Sequence, residues 1–167
     1  MPKKRNKKKK DNTLLIVFIL IVLLGGIIYL IKNCDKKEEV EINKFYIEEK
    51  YYNEGKYIKI KSDDYNNIKD ESYVLFIYNN FCTMKVPCEY IFEKVMKKYK
   101  IDFLSMGIDD FKKIELYNEV KYAPSIIIVN KGNIVTYLDA ESDDDSIKYH
   151  NEEEFEKWID KYIYLTK

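Results

Sequence analysis

Little of the material from which most catalytic sites are built is present. The 167-residue chain has one histidine (His150), one tryptophan (Trp158), five glycines, three prolines and three cysteines (Cys34, Cys82 and Cys88). A single imidazole leaves no His-based triad in reserve. A four-ligand Cys/His zinc site would consume every candidate, and Cys82, Cys88 and His150 have no fourth ligand at suitable spacing. Five scattered glycines make no phosphate-cradling loop. The composition calls for no metal and no cofactor.

Charge is abundant and sums to nothing, with 29 Lys and Arg against 29 Asp and Glu. The balance conceals segregation. Residues 1–12 carry +6, from Lys3, Lys4, Arg5 and Lys7 to Lys10 against Asp11, and residues 34–167 carry −7. The length suits one ordinary domain with an appendage. At 46% hydrophobic and 15% aromatic the chain is not disordered as a whole. The sixteen tyrosines, alongside many Lys, Ile, Asn and Asp, reflect coding bias more readily than a binding code.

Between Asn12 and Ile31 there is no charge, and Leu14–Ile31 is apolar apart from Gly25, Gly26 and Tyr29. Eighteen helical residues at about 1.5 Å each reach roughly 27 Å, close to a bilayer's hydrocarbon thickness. A cleaved signal has a shorter apolar region and a small-residue cut site; this run ends Ile27-Ile28-Tyr29-Leu30-Ile31-Lys32. The expected organisation is a basic cytoplasmic tail (1–12), a transmembrane anchor (13–32), a stalk or peripheral segment (33–56) and a domain (57–167). A cleaved signal and a buried core helix are the competing readings. The positive-inside rule holds the Lys-rich end in the cytoplasm and places the domain outside the cell membrane. The same basic tract could address nucleic acid, but its place before the apolar run and the acidic domain behind it argue against that.

Within the domain, Tyr57–Lys61 alternates like a strand, Ser62-Asp63-Asp64 starts a short helix to Ile68, and Tyr73–Tyr78 reads as a strand covered on both faces. From Pro87 the period turns helical, with Ile91, Phe92, Val95, Met96 and Tyr99 on one face. Asp102–Ile108 is predicted as a strand and Asp109–Asn118 as a short helix. Ser125–Val129 and Ile134–Leu138 are strands joined by the turn Asn130-Lys131-Gly132-Asn133. Asp139–Asn151 is predicted as an acidic loop; its alternate carboxylates suggest calcium, but Asp144 and His150 stand where a calcium loop has Gly and Glu, so a solvated loop is the better reading. His150 is expected to be exposed and Trp158 to pack at an edge. A last helix follows Asn151, with Phe155, Ile159, Tyr162 and Ile163 buried. The predicted class is α/β.

The order of these elements, a cysteine pair between the second strand and the next helix, and a proline opening the hairpin together resemble the thioredoxin-like superfamily. Phe81-Cys82 and Pro87-Cys88-Glu89 are similar to that family's aromatic-Cys-Gly-Pro-Cys-Lys run, with three extra residues inside it. Tyr117–Ser125, ending in Ala123-Pro124, resembles the stretch that carries the family's cis-proline, and Asn130–Asn133 its hairpin turn. The resemblance covers about residues 57–165 and implies a thioredoxin-like fold, a mixed central sheet flanked by helices. It departs from the family in two places. The pair is Cys-x5-Cys, and Phe76 stands where cytoplasmic relatives bury an acid.

By that resemblance Cys82 is the attacking thiolate, Cys88 the resolving thiol, and Ala123 with Pro124 the wall against which a substrate chain lies. A helix N-terminus lowers a thiol's pKa, and five intervening residues can return two Cα atoms to within the roughly 7 Å a disulfide needs. A static disulfide and two reduced thiols with no joint role remain as alternatives. Cys34 is expected to be idle or to pair between chains. The implied function is a membrane-anchored thiol–disulfide oxidoreductase acting on exported cysteine-containing proteins or peptides, with a redox partner or secretion component beside it. The alternative is a redox-inactive interaction or assembly module of a membrane or secretion complex.

Overall fold

The computed structural model describes residues 43–79, 88–139 and 141–167. The expected anchor at 13–32, together with Cys34, Cys82 and Pro87, lies outside the described residues. Among those described, no helix is long and apolar enough to cross a membrane.

The elements in order are β1 (Tyr57–Lys59), β2 (Tyr73–Tyr78), α1 (Cys88–Tyr99), β3 (Phe103–Gly107), α2 (Ile108–Phe111), β4 (Ser125–Asn130), β5 (Asn133–Asp139), α3 (Asp143–His150) and α4 (Glu152–Asp160), with 3-10 turns at Glu49–Tyr51, Ser62–Asn67 and Glu115–Asn118. Among the described residues the strands form one five-stranded sheet in the order β1-β3-β2-β4-β5. β3 runs parallel to both β1 and β2, whereas β4 is antiparallel to β2 and to β5. The expected mixed α/β sheet with flanking helices is present.

β2 and β4 are central because their residues tolerate cover on both faces. Tyr73 to Ile77 and Ser125 to Val129 are all buried, and each fully buried Ile or Val contributes about 1.5–3 kcal/mol. The β4–β5 turn needs left-handed backbone at two successive positions, φ 47° at Lys131 and 80° at Gly132, the pattern of a type I′ hairpin. The helix α1 buries Cys88, Ile91, Phe92, Val95 and Met96, the stripe that its 3.6-residue period defines. α1, α3 and α4 pack on one another, and α2 packs on β2 and β3.

Three expectations are corrected. The stalk or peripheral segment 33–56 is, over its described part, built into the body. Phe45 exchanges backbone hydrogen bonds with Tyr162 and Tyr164 at 3.0 Å each, and Ile47 and Tyr51 are buried in the core. The stretch Asp109–Asn118 is not one helix but α2 followed by a 3-10 turn. The acidic loop Asp139–Asn151 contains the helix α3. Its three aspartates occupy the first turn, where the helix dipole favours anions, and Lys148 in the last turn reaches back to Asp145 at 2.7 Å. His150 is exposed, as expected, but ends a helix. Trp158 is 7% exposed and packs on Phe155 and Tyr162.

One buried carboxylate organises the N-terminal half. Asp102, 1% exposed, accepts hydrogen bonds on Oδ1 from the backbone N–H groups of Glu54 (3.2 Å), Gly55 (2.8 Å) and Lys56 (2.9 Å), and on Oδ2 from the Asn53 amide at 3.3 Å. Its own N–H donates to the Tyr51 carbonyl at 2.7 Å. Gly55 is in the left-handed region, φ 78°, and a Cβ there would fall on the Met96 carbonyl at the end of α1. Asp102→Ala strips these amides of their acceptor and is expected to cost about 2–4 kcal/mol, whereas Asp102→Asn keeps one acceptor oxygen and should cost less. Urea midpoints of the variants check the order; equal stability of wild type and Asp102→Ala would contradict it.

Candidate functional site

The end of the sheet at which β2 finishes and β4 begins gathers the sequence-predicted residues. β2 ends at Tyr78, the chain re-enters the described structure at Cys88, and the described part of α1 runs from there. Ser125, the first residue of β4, pairs with Ile77, so the preceding Pro124 stands at the end of the sheet from which the cysteine loop departs. The Ala123–Pro124 peptide bond is cis, as the resemblance implied. Its turn is held by Ser125 Oγ, which donates to the Tyr122 carbonyl at 2.7 Å. Ala123 is half-buried and Tyr122 beside it is 48% exposed. Cys82, the expected attacking thiol, lies outside the described residues.

Cys88 is 2% exposed. Two phenols come close enough to interact with it electrostatically, Tyr57 of β1 and Tyr149 of α3. Burial pushes both well above the ordinary tyrosine range, and proximity to Cys88 adds to the rise. Both phenols therefore stay neutral at physiological pH and act as hydrogen-bonding groups rather than as anions. The Tyr57 hydroxyl donates to the Glu89 carbonyl in the first turn of α1 at 3.2 Å. The Tyr149 hydroxyl donates to the Leu138 carbonyl at 2.6 Å and lies 3.1 Å from the Pro124 carbonyl.

Phe76 is 2% exposed in an aromatic stack. Its ring lies 5.6 Å from both Tyr57 and Phe92 and 6.3 Å from Tyr78. A groove of about 320 Å³ lined by Tyr57, Lys59, Phe76, Tyr78, Glu89 and Ser105 opens beside the start of α1. Lys59 and Glu89 are its charged members, both exposed, and Ser105, paired with Phe76 across β2 and β3, supplies a buried hydroxyl. Among the described residues no group of three metal-ligating side chains converges.

Sequence reasoning missed Tyr149, which it left inside an acidic loop. The signal was present in Ser142 followed by three aspartates, with Lys148 and His150 one helix length later.

No protein-family model matches the chain, and no curated protein matches it. Solved structures do. They include a mutant thioredoxin from Halobacterium salinarum NRC-1 (14% identity, TM-score 0.46, covering 66% of this chain and 93% of that one). A thioredoxin from Trypanosoma brucei brucei shows 18% identity and a TM-score of 0.43, over 64% and 94% of the two chains. Thioredoxin f from spinach chloroplast shows 20% identity and a TM-score of 0.41, over 51% and 75%. At these identities and TM-scores the likeness carries no argument by itself. The sheet order, the change from parallel to antiparallel pairing at β2 and the cis-proline before β4 carry the assignment: the fold is thioredoxin-like.

The burial of Cys88 predicts its reactivity. In the reduced chain, a bulky maleimide should label Cys88 at least about tenfold more slowly before unfolding than after, as read by mass spectrometry of the peptide containing it. Equal labelling in both states would contradict the buried placement.

Proposed function

We propose that this protein is a membrane-anchored thiol–disulfide oxidoreductase that acts, outside the cytoplasm, on exported proteins or peptides containing cysteine. The observation that carries the proposal is the position of Cys88, buried where the described part of α1 begins, at the sheet end that also holds the cis Ala123–Pro124 bond. A thiol near a helix N-terminus meets a partial positive charge, which favours sulfur acting as a nucleophile.

In the proposed cycle the Cys82 thiolate attacks one sulfur of a substrate disulfide, and the other sulfur leaves as a thiolate and takes up a proton. Cys88, deprotonated, then attacks the Cys82 sulfur. That step closes the Cys82–Cys88 disulfide and releases the second substrate thiolate, so the substrate is reduced and the pair oxidised. Run in reverse, the same steps place a disulfide in a dithiol substrate. A partner dithiol or disulfide returns the pair to its starting state. Ala123 and Pro124 form the wall for an extended substrate segment, to which Ala123 offers its backbone groups.

A second reading is favoured by two features: the six-residue separation of the cysteines, and Phe76, which fills the acid's position with a ring packed on Tyr57 and Phe92. Under it the domain is a redox-inactive interaction module, and a Cys82–Cys88 disulfide does no more than pin the loop.

Cys88→Ser distinguishes the two, because an attacking Cys82 without its resolving partner accumulates as a mixed disulfide with exported proteins on a non-reducing gel. Absence of any Cys82-dependent adduct would remove the oxidoreductase reading. The reduction potential gives an independent check: a working exchanger is expected at about −120 to −230 mV, whereas a structural bridge lies below about −300 mV. For the anchor, protease added to intact cells should digest residues 34–167 and spare the Lys-rich end. Protection of the domain would reverse or remove the proposed topology.

A further inference from the structure

We infer that Tyr149 is a positioning residue that holds the cis-Pro124 turn in register with the Cys88 end of α1. The inference rests on the thiol–disulfide reading and adds to it a residue outside the cysteine loop. Tyr149 is 1% exposed and lies near the end of α3. Its ring meets Phe92 edge-on at 5.6 Å, and Phe92 stands four residues after Cys88, on the same face of α1. Its hydroxyl reaches the other side of the site. One proton serves the Leu138 carbonyl on β5 at 2.6 Å and the Pro124 carbonyl at 3.1 Å. Leu138 pairs with Ile126 and Asp139 with Ser125, so both carbonyls belong to the sheet end at which β2 finishes and β4 begins. A single side chain thus spans from the helix carrying the resolving thiol to the turn carrying the substrate wall.

The reason this matters is geometric. Resolution of a mixed disulfide needs Cys88 in line with the Cys82 sulfur while the substrate is held at Pro124, and an in-line displacement is sensitive to misplacements of about 1 Å. Burial keeps the Tyr149 phenol neutral, so it remains a donor to the Pro124 carbonyl throughout the physiological range. Tyr57 contacts the same turn of α1, but its hydroxyl bonds to α1 itself, at the Glu89 carbonyl.

The test uses the full-length chain with Cys34→Ser, reduced and mixed with excess dithiobis-nitrobenzoate. Attack by Cys82 releases one coloured thiolate; attack by Cys88 on the Cys82 mixed disulfide releases the second. The second release reports resolution, and the first reports only the attacking thiol. Tyr149→Phe keeps the ring on Phe92 and removes the hydroxyl; it is expected to slow the second release about tenfold and to leave the first unchanged. The control is Tyr73→Phe, which deletes a buried hydroxyl with no hydrogen-bond partner among the described residues, at the far end of β2, and is expected to change neither phase. Should Tyr149→Phe fail to fold, Phe92→Leu loosens the same link from the helix side and is expected to slow the second release likewise. An unchanged second phase in the folded variant, or equal slowing by Tyr73→Phe, overturns the assignment of Tyr149. A parent chain with no second release at all overturns the thiol–disulfide reading itself, which separates the two failures.

Discussion

The buried Asp102 carboxylate is the constraint on which the N-terminal half of this domain depends. Taking a carboxylate out of water is costly unless its oxygens are fully engaged, and the three successive amides of Glu54, Gly55 and Lys56, with the Asn53 side chain, engage them. The turn that supplies those amides leads directly into β1. The residue after Asp102 starts β3, and Gly55 abuts the carbonyl at the end of α1. One charge therefore ties the edge strand, the strand beside it and the far end of α1. Because α1 is a rigid rod, fixing its C-terminal end contributes to fixing Cys88 at the other.

The opposite end of the sheet is organised by neutral groups. Phe76 with Tyr57 and Phe92 makes the floor of the cysteine-bearing helix aromatic, and the polar work falls to hydroxyls: Tyr57 on Glu89, Ser125 on Tyr122, and Tyr149 on Leu138 and Pro124. The Tyr57 and Tyr149 phenols stay protonated, because burial disfavours their anions. Such groups orient and donate hydrogen bonds but do not take up a proton at neutral pH. The rim of the adjacent groove holds Lys59 and Glu89 as its charged side chains.

Legibility from sequence followed the range of the interactions. Strands β2 and β4 were readable because their apolar runs are continuous, α1 because its stripe is periodic, and the hairpin because Lys131-Gly132 is a local turn signal. The cis bond at Pro124 followed from a motif only a few residues long. What escaped were pairings between distant segments. Asp102 finds its amides 46 to 48 residues away, and Tyr149 reaches Pro124 25 residues back. Nothing local to either residue names its distant partner. The helix α3 was obscured for a different reason: its acidic first turn resembles a solvated loop, and its stripe is reduced to the single buried Tyr149.

By itself, the sequence determined the α/β class, the order of the strands, the candidate cysteine pair and the candidate proline, because periodicity, turn chemistry and short motifs are local properties of a chain. Its segregated charge and apolar run also set the expectation of an anchor before the domain. Only the tertiary structure decided that residues 43–56 belong to the body, that a buried carboxylate fastens them there, and that Tyr149 joins the proline turn to the helix of Cys88. Those are long-range contacts, and a long-range contact exists only once the sheet has brought its ends together.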